Sequence, residues 1–139
     1  GGITVDVARW KQSASYAWMR DLLRATAEAD TLLPAGTSFI LVDENQWGGR
    51  DFLPDRRIVP FTEQSGEYAG PPRDDASAIE ELERLRDGRV GFLVVTAPAF
   101  WWLDYYRGFG AYLGQRYRRI AATESLVVYD LASVSRGSS

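Results

Sequence analysis

The chain has no cysteine and no histidine. Without cysteine there are no disulfides and no thiol nucleophile, and nothing marks the redox compartment. Without histidine the commonest general base and the commonest metal ligand are lost together. A Ser-His-Asp triad, an HExxH zinc site and a Cys/His zinc site are excluded, and catalysis would fall to Asp, Glu, Tyr or Arg. Neither a metal nor a cofactor is expected. The single lysine, Lys11, stands near the N-terminus, a poor place for a Schiff base or a phosphate clamp. No apolar run approaches the roughly 20 residues of a membrane-crossing helix, and no signal peptide is visible. The expectation is therefore a cytoplasmic chain with no membrane insertion. A net charge of −3 with scattered basic residues leaves no nucleic-acid footprint.

What is present fits one ordinary domain. A chain of 139 residues buries roughly 68% of its unfolded surface without staples. Residues 1–12 carry no clear period and are expected to form an N-terminal arm. In "SYAWMRDLLRATAEA", Tyr16, Met19, Leu22, Leu23 and Ala27 recur at helical spacing, predicting a helix over about 13–29. Phe39-Ile-Leu-Val42 is a continuous apolar run, the mark of a strand buried on both faces. Arg57-Ile-Val59 is a short strand stopped by Pro60, and 61–74 is a long loop rich in Gly and Pro. "DASAIEELERLRDG" is the clearest helix. Asp75 or Ser77 caps it, Ser77 and Glu80 match a capping box, and Gly88 is placed as its stop.

A second buried strand, "VGFLVVTA", is followed by a helix expected over about 99–116. "RYRRIAATESLVVYDLA" reads as two strands turning at Thr123-Glu124-Ser125, and 133–139 as a disordered tail. This order predicts a single α/β domain over 13–132. Its architecture is a three-layer sandwich with a mainly parallel sheet and an antiparallel hairpin at one edge.

Most candidate site residues crowd into "APAFWWLDYY" (97–106). Trp102, Tyr106, Phe109 and Leu113 can share one helix face, which is most simply core. Trp101, Asp104, Tyr105 and Gly108 share another, which the first cannot also bury. These residues open a helix just after a buried strand, and in open α/β sheets ligands bind outside the carboxyl ends of strands. An aromatic plane beside a carboxylate suits a sugar, the ring packing on its apolar face and the acid accepting hydroxyl hydrogen bonds. The plain alternative is that the 61–74 loop folds over the aromatics. Asp43 and Glu44 end the first buried strand, so they belong to the same rim. There they would hold a ribose hydroxyl or a cation, or merely solvate a strand end. "GFGAYLG" (108–114) is no dinucleotide fingerprint, because its glycines fall inside a helix rather than between strand and helix. Arg116, Arg118 and Arg119 would meet a phosphate or an acidic partner, or line a solvated edge.

The order of residues also resembles a known family. "LPAG" before the first buried strand, the Arg56-Arg57 pair, "GEYAG", "AIEELERLR", "WWLDYY" and the "RYR" before the final hairpin carry the likeness, over about residues 32–131. Together they resemble a small bacterial domain found beside or fused to glycosyltransferase and methyltransferase modules of surface-polysaccharide assembly. The resemblance implies a Rossmann-like accessory domain in glycan biosynthesis. It brings no catalytic residues with it. The family's aromatic-His-Phe-Pro segment after the Arg-Arg pair is replaced by Val59-Pro60-Phe61, without the histidine.

Three functional readings follow. The first is a non-catalytic binding module whose rim of Trp101, Asp104, Tyr105 and Tyr68 holds a glycan, a nucleotide-sugar or a neighbouring glycosyltransferase or methyltransferase domain. The second is a small group-transfer enzyme using Asp43, Glu44 or Asp104 as base, which requires a pKa raised by burial or a like charge. The third is a dimerisation domain whose partner chain covers the aromatic face.

Overall fold

A computed structural model of the chain describes residues 17, 19–43 and 53–134. The expected arm over 1–12, Glu44 and the end of the expected tail lie outside them. Helix α1 runs over 19–32, past the expected end at 29. Strands β1 (Ser38–Val42) and β2 (Arg57–Pro60) come next, then the short strands β3 (Glu63–Gln64) and β4 (Glu67–Tyr68). Helix α2 (Asp75–Arg86) leads to β5 (Phe92–Thr96). A 3-10 turn (Ala97–Ala99) precedes helices α3 (Trp101–Tyr105) and α4 (Arg107–Arg116), and β6 (Tyr117–Ala122) and β7 (Leu126–Val134) close the fold.

The five-stranded sheet has the order β2-β1-β5-β7-β6. β1 is parallel to both β2 and β5, whereas β7 is antiparallel to β5 and to β6. The sheet is therefore mixed and parallel only at one end, not mainly parallel, because the C-terminal hairpin supplies two of its strands. The hairpin forms as expected, with β6 at the edge, and β7 takes in the first residues of the expected tail.

Each central strand serves two cores. Ile40 and Val42 of β1 and Leu93 and Val95 of β5 lie with Leu82 of α2, Trp102 of α3, and Phe109 and Leu113 of α4. Phe39 and Leu41, with Val94, lie with Leu22, Ala25, Ala29 and Leu33 around α1. Alternate residues of β1 and β5 thus enter two separate cores, which is why the two strands read as unbroken apolar runs. The α1 stripe differs from the expected one: Leu22 is buried, but Met19 and Leu23 are exposed.

The local signals of α2 also resolve differently. Its cap is Asp74, whose extended backbone lets the carboxylate accept from the Ser77 N–H at 2.8 Å. Those hydrogen bonds from Ser77 hold the Asp74 carboxyl below its ordinary range. Beyond the helix the positive-φ residue is Arg89 (φ 68), not Gly88. The 61–74 loop contains the β3–β4 hairpin, turned at Ser65 and Gly66. Both turn residues have positive φ, as a two-residue hairpin turn requires.

The expected helix over 99–116 is broken. Tyr106 leaves helical geometry (φ −96, ψ 72) between α3 and α4. Its hydroxyl donates to the Pro72 carbonyl at 2.6 Å. The N-terminus of α4 is then met by Asp75 of α2, which accepts from the Phe109 N–H at 3.2 Å. Gly108 makes room for it: a Cβ there would lie 3.0 Å from the Asp75 carboxyl carbon.

Asp75→Ala is expected to lower stability by about 1 kcal/mol, the usual worth of such a cap, seen as a reduced urea midpoint. Gly108→Ala displaces the cap in the native chain and so destabilises it. In the Asp75→Ala background the carboxylate is gone and only the Cβ of residue 75, 3.1 Å away, remains to be met, so the same change costs less, a non-additivity that a double-mutant cycle reads directly.

Candidate functional site

β1 and β5 run the same way with Val42 opposite Val95, so their carboxyl ends share one sheet edge. Asp43 follows Val42, and α3 follows β5 after the 3-10 turn. Asp43 is not a solvated strand end: it is 5% exposed. Thr96, the last residue of β5, is 2% exposed.

On α3 the two faces separate as their spacing predicts. Trp102 and Tyr106 are buried, while Trp101 is 41% and Tyr105 70% exposed, and Asp104 is exposed beside them. The exposed pair rests on the buried one. Trp101 meets Tyr105 edge-on at 5.7 Å, and Tyr105 meets Tyr106 at 4.8 Å. Trp102 lies 5.5 Å from Tyr106 and 6.0 Å from Phe61, which stacks on Phe109 at 5.6 Å. A continuous run of rings leads from the surface to the core, in contacts that prefer these offset and edge geometries. The 61–74 segment covers its inner half through Phe61 and Pro72 and leaves Trp101 and Tyr105 uncovered. Tyr68 is half-buried on β4, with Glu63 as its ladder partner. Trp101, Asp104 and Tyr105 therefore come together, Asp43 shares their sheet edge, and Tyr68 belongs to the separate hairpin.

Two polar clusters escape a reading by motif. In the first, Arg84 of α2 clamps the β3–β4 hairpin. It donates to both oxygens of Glu81 at 2.9 and 3.0 Å, and to the carbonyl and carboxylate of Glu63 at 2.9 Å each. Glu81 in turn accepts the Glu63 N–H at 2.7 Å. The Arg84 hydrogen bond and the Gly66 N–H hold Glu63 below the ordinary carboxylate range. Between hairpin and helix lies an open cleft of about 530 Å³, lined in part by Thr62, Gln64 and Ser77.

In the second cluster, Glu83 binds α2 to α4 and β6. One carboxylate oxygen accepts the hydroxyls of Tyr112 at 2.7 Å and Tyr117 at 2.5 Å, and the other accepts Arg86 at 2.9 Å. Burial alone would raise the Glu83 pKa, but the hydrogen bonds from Tyr117, Tyr112 and Arg86 outweigh it and hold it low. Burial, then Glu83, pushes both tyrosines up. Arg116 closes α4 and stacks over Tyr112 and Tyr117, so it is committed within this cluster. Arg118 and Arg119 are exposed on the edge strand. The Glu81–Arg84 and Glu83–Arg86 spacings were visible as i,i+3 pairs. Their tyrosine and hairpin partners, far along the chain, were not.

Glu83→Ala leaves two tyrosine hydroxyls without their acceptor and is expected to cost about 1–3 kcal/mol in chemical denaturation. The pH dependence has two sides. Glu83 titrates below its usual 4.5, so its contribution is complete above that pH and lost as pH falls through the folded value. Tyr112 and Tyr117 titrate above their usual 10, so theirs is complete below pH 10 and lost as pH rises beyond it. Glu83→Gln should flatten the acid limb of a stability–pH curve. Neither the family models, nor the curated proteins, nor the solved structures compared with the chain include a match to it.

Proposed function

We propose that this chain is a Rossmann-like three-layer domain that acts as a non-catalytic binding module in cytoplasmic glycan assembly. It holds a hydroxyl-rich ligand, a glycan or a nucleotide-sugar, at the carboxyl edge of β1 and β5, beside a glycosyltransferase or methyltransferase partner. The glycan context rests on the sequence resemblance. The observation that carries the binding site is the exposed Trp101–Tyr105 pair beside Asp104, standing on buried rings at that edge. A flat aromatic surface takes the apolar face of a sugar ring, and an adjacent carboxylate accepts its hydroxyls. The rings are already packed from behind, so the surface is preorganised and little ordering opposes binding.

Ligand-observed saturation-transfer NMR with a panel of nucleotide-sugars, free nucleotides and short glycans tests the reading. Transfer to one ligand class, lost in a folded Trp101→Ala variant, is the expected result. Silence across the panel, or transfer that Trp101→Ala leaves unchanged, would overturn it.

A further inference from the structure

An uncharged glycan and a nucleotide-sugar differ by the charge of a pyrophosphate, and the cleft between the β3–β4 hairpin and α2 tells them apart. Its floor is one face of α2, where Ser77, Glu81 and Arg84 recur at helical spacing. Its wall is the hairpin, through Thr62, Glu63 and Gln64, and Ala69 and Pro72 also line it. The floor is about 10 Å long at the rise of an α-helix. The volume, about 530 Å³, lies in the range of small-molecule sites.

This cleft adjoins the exposed aromatic pair, and Tyr106 joins the two. Its ring centroid lies 4.8 Å from that of Tyr105, and its hydroxyl donates to the Pro72 carbonyl at 2.6 Å. Ser77 sits at the same end, in the first turn of α2, and Asp75 of that turn reaches the Phe109 N–H of α4. Arg84 stands at the far end. A chain of sugar rings can therefore rest its first ring on Trp101 and Tyr105 and lay the following ones along α2.

The lining suits hydroxyls. Glu63 and Glu81 accept from Arg84 and from the Gly66 and Glu63 N–H groups. A carboxylate has about four lone-pair sites, so both accept further. Arg84 spends Nε and Nη2 on this contact and keeps Nη1 to donate. The Ser77 hydroxyl and the amide of the exposed Gln64 donate and accept.

A pyrophosphate meets nothing comparable. Two carboxylates face one guanidinium in the cleft, and that guanidinium bonds both. Arg73, beside Pro72, pairs with Asp74 at 3.7 Å. Next to the aromatic pair, the exposed Arg107 is matched by the exposed Asp104. A helix N-terminus is the other ready anion site, but both of those here are taken. Asp74 holds the Ser77 N–H of α2, and Asp75 holds the Phe109 N–H of α4. We propose that the ligand is an uncharged oligosaccharide, with its first ring on Trp101 and Tyr105 and its following rings in the cleft between α2 and the hairpin. This rests on the binding reading above and names its substrate class.

The test is calorimetric titration of the full chain with cellotetraose, mannotetraose, the methyl glycosides of their sugars and uridine diphosphate glucose. The wild type is compared with Gln64→Ala, with Ala69→Leu, which narrows the cleft, and with Trp101→Ala. A tetrasaccharide should bind at least about tenfold more tightly than its methyl glycoside, and uridine diphosphate glucose no more tightly than methyl glucoside. Gln64→Ala should weaken the tetrasaccharide by about threefold or more, and Ala69→Leu should remove most of its advantage. Both should leave the methyl glycoside unchanged, whereas Trp101→Ala weakens the two alike. Tighter binding of uridine diphosphate glucose, equal binding of tetrasaccharide and methyl glycoside, or an advantage that survives both cleft variants would each overturn the proposal. If Trp101→Ala still abolishes binding in those cases, the aromatic rim stands without the cleft. Silence from every probe overturns both.

Discussion

Phe39 to Val42 pair in parallel with Phe92 to Val95, and most of the molecule follows from that ladder. Parallel strands cannot be joined by a tight turn, so the chain between them makes a long excursion that includes α2, which packs in the core of Ile40 and Leu93, while α1, which precedes β1, packs in the core of Phe39 and Val94. Alternate residues of the two strands enter two different cores, and neither strand has a polar side to spare. The same direction brings both carboxyl ends to one edge. The polar groups that finish these strands at that edge, Asp43 and Thr96, are both buried.

The β5–α3–α4 segment turns that edge into a surface. Two short helices meet at Tyr106 instead of one long helix continuing, and the break is held from outside by the Pro72 carbonyl and the Asp75 carboxylate. Because α3 is only five residues long, it cannot bury all four of its bulky aromatic neighbours. It sinks Trp102 and Tyr106 and leaves Trp101 and Tyr105 outside. The clusters around Arg84 and Glu83 lie away from this edge. They fasten the hairpin, α2, α4 and β6 and so set the frame on which the aromatic ladder stands.

Parts of this were legible residue by residue. The runs Phe39–Val42 and Phe92–Val95 announced buried strands because nothing polar interrupts them. The helical spacing of Trp102, Tyr106, Phe109 and Leu113 picked out the buried face and set Trp101 and Tyr105 on the other, but whether the 61–74 loop covers that face was settled only by the fold, which leaves both exposed. The break at Tyr106 was not legible, since its cause lies 34 residues away in Pro72. Nor was the burial of Asp43: a short acidic run after a strand reads as a solvated end until the neighbouring strand is in place. Thr96 carries no motif at all, and only its lack of a partner in the folded chain draws notice. The cap at Asp74 was missed by one residue, because three candidate capping side chains compete within four positions and only backbone geometry separates them.

The outer strand β6 shows where the sheet stops. Its ladder with β7 slips at Tyr117/Arg118 and again between Arg119 and Ala121, and Arg118 and Arg119 point to solvent. A strand from another molecule would have to match a backbone that falls out of step twice, and a second copy would bring like charge against like. Growth of the sheet by addition at the β6 edge is therefore opposed by both geometry and repulsion.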